Sequence, residues 1–342
     1  MWEWAHRPIY LSCNSRQNLA FWTGSIVIII LVFSFIFRDG LSEMVSQWST
    51  ADYSHAYIIP FVALFFVWRD RCRLAEAVNH GGAWSGLIFI IIGMSSVFLD
   101  HQGADLTVIQ YGYLLSFFGL ALTLLGWNGM QIIWFPLTYL ILMVPLPDVI
   151  HDGLISALRL SASQLGVAVM QSFGVSVFFE GTVIDLGHYK LYVDEACSGL
   201  RYLLPLISFS CLVAYLCRGP LWHKTILVVS TVPLTLLINA LRIGIIGVLV
   251  EYFGSSMAER FLHWTEGWLI FIVCLLVLYA EVGLFMRMSG LEGFPLSQSS
   301  IYVPYRSANW QEERGTAQIL PLPYCASFPI VSIAAGIISL SN

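Results

Sequence analysis

The chain has 342 residues, of which 58% are apolar and only 11% charged, with a formal net charge of −5. So few charges cannot coat a soluble globule of this size with polar surface, and the composition is that of a membrane protein. The charge is spread along the chain without a basic cluster of the kind that binds nucleic acid, which sets nucleic-acid partners aside.

A bilayer crossing takes about 20 apolar residues. Runs near 20–37, 53–68, 84–99, 107–126, 131–146, 200–217, 225–242 and 264–286 satisfy this and predict an all-α polytopic membrane protein with eight crossings. The first run is not a removable signal peptide: Trp2, Glu3, Arg7 and Arg16 precede it, no small-residue cleavage site follows, and more spans come after. Lys and Arg between the spans set the orientation. With residues 1–19 on the cytoplasmic side, the inner segments hold Arg7, Arg16, Arg69, Arg71, Arg73, Arg218, Lys224, Arg287, Arg306 and Arg314. The outer ones hold Arg38, Arg159, Lys190, Arg201, Arg242 and Arg260. Ten against six favours an inner N-terminus, and the tight Arg69-Asp70-Arg71-Cys72-Arg73 cluster just after a span adds weight.

The stretch 147–199 is the long non-spanning part and reads as an extracytoplasmic cap. From Gly153 to Phe173, Leu154, Leu158, Leu165 and Val169 recur near helical spacing with Arg159, Ser161, Ser163 and Gln164 between them, as in a helix lying at the interface. Val175–Phe179, Thr182–Asp185 and Tyr189–Val193 are β-branched and aromatic, with Gly181 and Gly187 at the turns, and predict short strands. Residues 289–342 form a Ser- and Pro-rich tail that ends in a weak apolar run, 328–340, too short for a firm span and readable as the start of a ninth.

Of seven cysteines, Cys197 alone reads as facing outward, at the start of the helix that begins at Leu200. No outer disulfide partner is evident. A helix N-terminus favours thiolate over thiol, whereas burial against lipid opposes it, so nearby cations decide the sign. Arg242 is an ionisable residue in an otherwise apolar run, and His263 opens the last span from the outer side. Asn239 lies three residues before Arg242 and Glu266 three after His263, each on a shared helical face. The set suggests nucleophilic acyl transfer: Cys197 as nucleophile, His263 as base and then acid, Arg242 on the oxyanion or the thiolate. Each member has a plainer reading as well. Cys197 can be a small buried residue, Arg242 can snorkel to headgroups, and His263 can be an interfacial anchor. Arg201, one turn beyond Cys197, is a second cation or a headgroup contact; Glu195 orients it or caps a helix. His55 stands at the outer end of the second span, in reach of substrate or simply in the polar belt. Asp148, His151 and Asp152 lack a second matching cluster, so neither metal nor another cofactor is expected.

At these residues the chain resembles the exosortase/archaeosortase family. The resemblance rests on Tyr53-Ser54-His55 with the following arginine cluster, Pro145-Leu146-Pro147, Ala196-Cys197-Ser198-Gly199-Leu200-Arg201, Asn239 with Arg242, and His263, and covers roughly residues 50 to 288. It implies a membrane-embedded cysteine transpeptidase of the bacterial inner membrane, active on the extracytoplasmic side and linked to exopolysaccharide systems. Its partners would be exported proteins carrying a C-terminal sorting signal: a short Pro-containing motif, a transmembrane helix and a basic end. Cys197, Arg242 and His263 match the proposed catalytic residues, with Glu195, Ser198, Gly199, Arg201, Asn239, His55 and Glu266 in supporting positions. Archaeal relatives have Arg at the third position, so His263 points to the bacterial branch. The run from Arg218-Gly219-Pro220 to Glu251-Tyr252 looks like the exosortase D group, associated with Val-Pro-Leu-Pro-Ala signals. The competing class is a non-enzymatic component or transporter of a polysaccharide assembly, which would place charges deep in several spans.

Overall fold

The computed structural model describes residues 28–71, 73–74, 84–100, 106–187, 189–193, 198–217, 220–264 and 268–288. Helix α1 (28–36) leads into α2 (Arg38–Trp48), a 3-10 turn (Ser54–Tyr57) and α3 (Ile59–Arg69). Then follow α4 (Ser85–Asp100), α5 (Leu106–Tyr139) and a second 3-10 turn (Leu140–Met143). The fold is that of a helical membrane protein. By length and apolarity Leu106–Met143, Asp148–Ser172 and Leu221–Phe253 suffice to cross a bilayer; Ser54–Arg69, Ser85–Phe98, Leu200–Leu216 and Leu269–Phe285 are shorter apolar helices.

Helix α5 is two rods. Gly126 has φ 65° and ψ −176°, a conformation that L side chains avoid, and it separates an arm at 106–125 from one at 127–139. This break is where the sequence separates its fourth and fifth apolar runs. The first arm pairs with α4 through small residues: a Cβ on Gly93 would collide with the Gly112 carbonyl and Ser116, and one on Gly119 with the Gly86 carbonyl. Such contacts bring backbones together where lipid offers no hydrophobic drive. The second arm joins α3 through Phe66, Phe135 and Tyr139, with Tyr215 stacked on Phe135.

Helix α6 (Asp148–Ser172) starts five residues before the expected Gly153 and lies against protein along one whole face. Its partner is α9 (Thr231–Phe253), which continues the short helix α8 (Leu221–Val229). A Cβ on Gly166 would meet Ile243 at 2.8 Å and the Ala240 carbonyl at 3.3 Å; Met170 fills the space over Gly247. The two helices therefore run parallel. Between them in sequence come strands β1 (Phe178–Glu180), β2 (Val183–Asp185) and β3 (Lys190–Tyr192), then α7 (Leu200–Leu216). The strands form an antiparallel sheet in that order, with Ile184 opposite both Phe179 and Leu191. Ile184 is fully buried in a cluster with Ala162 and Met170 of α6 and Ile243, Ile246 and Val250 of α9.

Helix α7 returns antiparallel to α8 and α9. Leu200 and Leu203 pack with Ile155, Leu158 and Leu236, whereas Ala214 packs with Leu227 and with Leu278 and Val282 of α11 (Trp268–Met288). Beyond Leu158, α6 thus accompanies the part of α9 that continues past the first turn of α7. The sheet and Ala258 of α10 (Ser255–Trp264) close over this extension.

Candidate active site at the start of helix α7

Gly199 turns the chain into α7 with φ +83°, the left-handed region in which an alanine would be strained. The Gly199 carbonyl accepts from the Tyr202 and Leu203 N–H groups at 3.1 and 3.0 Å, and the Leu200 N–H donates to Ser198 Oγ at 3.3 Å. Ser198 is buried and Leu200 completely so. The 17-residue helix α7 thus directs its positive end at this turn.

Against this turn stands α9. A Cβ on Gly199 would lie 3.6 Å from Asn239 Cβ, Cγ and Nδ2, so the side chain of Asn239 covers the turn. Asn239 is the third in a buried polar row, Thr231, Thr235, Asn239 and Arg242, on one side of a helix that is otherwise apolar up to Glu251. The two threonines satisfy themselves: Thr231 Oγ1 donates to the Val228 carbonyl and Thr235 Oγ1 to the Thr231 carbonyl, both at 2.6 Å. Arg242 does not. It is 8% exposed, and its Nε and Nη1 have no hydrogen-bond partner among the described residues. A buried guanidinium with free N–H donors is costly unless an anion or acceptor meets it, and the helix start beside Asn239 is where one would be held.

The opposite wall is built by the loops before α3 and α6. Trp48 Nε1–H donates to the Met143 carbonyl at 2.8 Å, and the Leu146 N–H donates to Tyr53 Oη at 3.1 Å. The Tyr53-Ser54-His55 turn and the Pro145-Leu146-Pro147 turn are thus pinned together. Arg201 shares a face of α7 with Leu204 and Ser208, which pack on this wall; Tyr139 Oη and Ser208 Oγ are 3.0 Å apart. The Nε of Arg201 and Nδ1 of His55 are both buried without a partner among the described residues. His151 stacks on Tyr53 and lies 3.7 Å from Asp52 and 3.3 Å from Asp152. Among the described residues no three His, Cys, Asp or Glu side chains have metal-binding geometry.

The family model of the transmembrane exosortases matches residues 48–280, which takes in both walls and the turn between them. The chain belongs to the transmembrane exosortase family. No curated protein and no solved structure matches it. Exosortases are in general cysteine transpeptidases that act on sorting signals.

In this exosortase Gly199 and Asn239 meet directly, Ser198 Oγ accepts from the Leu200 N–H in the same turn, and Arg242 lies on the same side of α9 as Asn239. Arg201 and His55 belong to the other wall. Cys197, Glu195 and Glu266 lie outside the described residues, and His263 lies in α10 with its side chain outside them. Sequence reasoning passed over Arg159 of α6, whose Nε is buried without a partner among the described residues. It also passed over Thr231 and Thr235, although polar residues recurring every fourth position in an apolar helix are a readable signal.

Proposed function

We propose that this exosortase is a cysteine transpeptidase of the bacterial inner membrane, using Cys197, Arg242 and His263 on the extracytoplasmic side to remove C-terminal sorting signals from exported proteins. The observation that carries the reading is Arg242: a buried guanidinium with unpartnered N–H donors, beside Asn239 and the helix start that follows Cys197.

The Cys197 thiolate attacks the scissile carbonyl and forms a tetrahedral intermediate, whose oxyanion takes hydrogen bonds from Arg242. His263 passes a proton to the departing amine as the C–N bond breaks, leaving a thioester on Cys197. An amine, hydroxyl or water then attacks the thioester, His263 accepts its proton, and the thiolate is released. Glu266 orients His263, Glu195 and Arg201 frame the turn, and His55 contacts the substrate. The signal is of the Val-Pro-Leu-Pro-Ala type, as in the exosortase D group, and the enzyme works beside exopolysaccharide machinery. In this reading eight segments cross the membrane and residues 147–199 lie on the outer side.

Co-expression with a protein bearing such a signal tests the reading. The wild type is expected to convert the substrate to a shorter form, and Cys197→Ala to insert normally and leave it intact. Equal processing by both would exclude Cys197 as the nucleophile, and no processing by either would favour a non-enzymatic role.

A further inference from the structure

Glu281 is the only charged residue in α11 before Arg287. It stands far from the reactive end, and the chemistry above does not use it. Ser230, at the joint between α8 and α9, donates to Glu281 Oε2 at 2.8 Å. No ion pair reaches this carboxylate among the described residues. One flank of Glu281 is sealed, since Leu278 and Val282 pack on Ala214 and Leu227. The other is open, with Val277 42% and Leu284 57% exposed. A carboxylate at the edge of a lipid-facing surface, with one hydroxyl for company, is costly and calls for a cation.

The open flank continues into a strip. On α11, Val273, Val277, Glu281 and Leu284 follow one another at helical spacing; Ser230 at the start of α9 and Leu237 and Leu241 within it do the same, and all the apolar members are exposed. The two rows are joined at the inner end by the Ser230–Glu281 hydrogen bond, and the helices touch through Ile270 and Cys274 against Leu234 and Ile238. At the outer end the strip runs up to Leu241, next to Arg242. Its length follows from α7, whose Leu200 lies at the reactive end and whose Ala214 is level with Glu281: fourteen residues, or about 21 Å at 1.5 Å each.

We propose that this strip is the docking surface for the membrane helix of the substrate, and that Glu281 receives the Lys or Arg at that helix's inner end. The assignment rests on the reading that the substrate is a C-terminal signal with a membrane helix cut at its outer end. Any such helix ends in the cytoplasm, where flanking residues are biased to Lys and Arg. About 14 helical residues from the scissile bond reach the depth of Glu281, and in a longer helix the inner Lys or Arg reaches back toward it on a flexible aliphatic stem that leans toward the helix start. The carboxylate thereby selects helices whose span and inner charge match the distance from the nucleophile, and short apolar helices with neutral ends dock weakly.

The test uses the full-length Cys197→Ala protein in liposomes, so that docking is read without cleavage. The reporter carries Val-Pro-Leu-Pro-Ala, an apolar helix of about 20 residues with a photo-crosslinker in its last turn, and a Lys-Arg-Arg end; a second reporter ends in Gln-Gln-Gln. Crosslinking to α11 is expected for the basic reporter and to fall roughly fivefold for the neutral one, the size of one half-exposed ion pair. Glu281→Gln should erase the difference between reporters while keeping the bond to Ser230, and Glu281→Asp should retain most of it. Equal capture of both reporters, or a preference that survives Glu281→Gln, overturns the assignment. If the basic reporter docks at Glu281 but the wild-type protein does not cut it, the docking site stands and the reading of the reaction falls.

Discussion

Arg242 Nε and Nη1 are buried on α9 with no hydrogen-bond partner among the described residues. The hydroxyls above it on α9 are turned back on the backbone, so its guanidinium is the one strong donor of that row left for a ligand. If it stabilises the oxyanion, Arg242→Gln should lower the rate of signal removal by roughly 10²–10³, the loss typical of one oxyanion donor. Arg242→Lys keeps the charge without the planar fork and should recover part of that loss. Pulse-chase processing of a co-expressed substrate measures both. A full rate in Arg242→Gln would reduce Arg242 to a headgroup contact. Gly199 has a separate role: its positive φ turns the chain into α7 beneath Asn239, and the side-chain space there is ordinary, so conformation rather than crowding selects glycine.

At the scale of elements, glycine and serine decide which helices can touch. Helices α4 and α5 approach so closely that side chains at Gly93 or Gly112 would run into the facing backbone or Ser96. Gly93→Leu and Gly112→Leu should each cost about 1–3 kcal/mol by overpacking, visible as a lower melting temperature in detergent and a smaller folded fraction. Gly153→Leu, on α6 where a Cβ would have nothing within 4 Å, is the control and should leave both unchanged. A drop for Gly153→Leu equal to the others would mean that close approach of helices does not set the response, since leucine favours the helix over glycine. The same device joins α6 to α9 through Gly166, Gly244 and Gly247, which ties the cap helix to the helix that carries Asn239 and Arg242.

The molecule as a whole separates two ends. One holds the α7 start, Asn239, Arg242 and the two pinned turns; the other holds Ala214, Leu227, Glu281 and the His223–Phe285 stack. If the first end faces outward, an impermeant maleimide on intact cells should label the wild type and leave Cys197→Ser unlabelled. Cys274 is buried, and Cys211 and Cys217 are half-buried within the helices, so they should contribute little. Labelling that requires opened cells would reverse the orientation and move the chemistry to the cytoplasm.

Composition and run length were enough to read a helical membrane protein and three short strands, because a bilayer and a strand each impose a length and a period on the chain itself, whereas the two runs 107–126 and 131–146 became arms of one helix kinked at Gly126. The pair Asn239 and Arg242 stands out in the sequence for a similar reason: charge and amide are rare in apolar helices. Which residues meet was not legible. That Asn239 covers Gly199, that α6 lies along α9, and that Ser230 reaches Glu281 are contacts between residues 40, 77 and 51 positions apart. They depend on how close two helices come, and that distance is set by the small residues of both partners at once, which no single stretch of sequence contains.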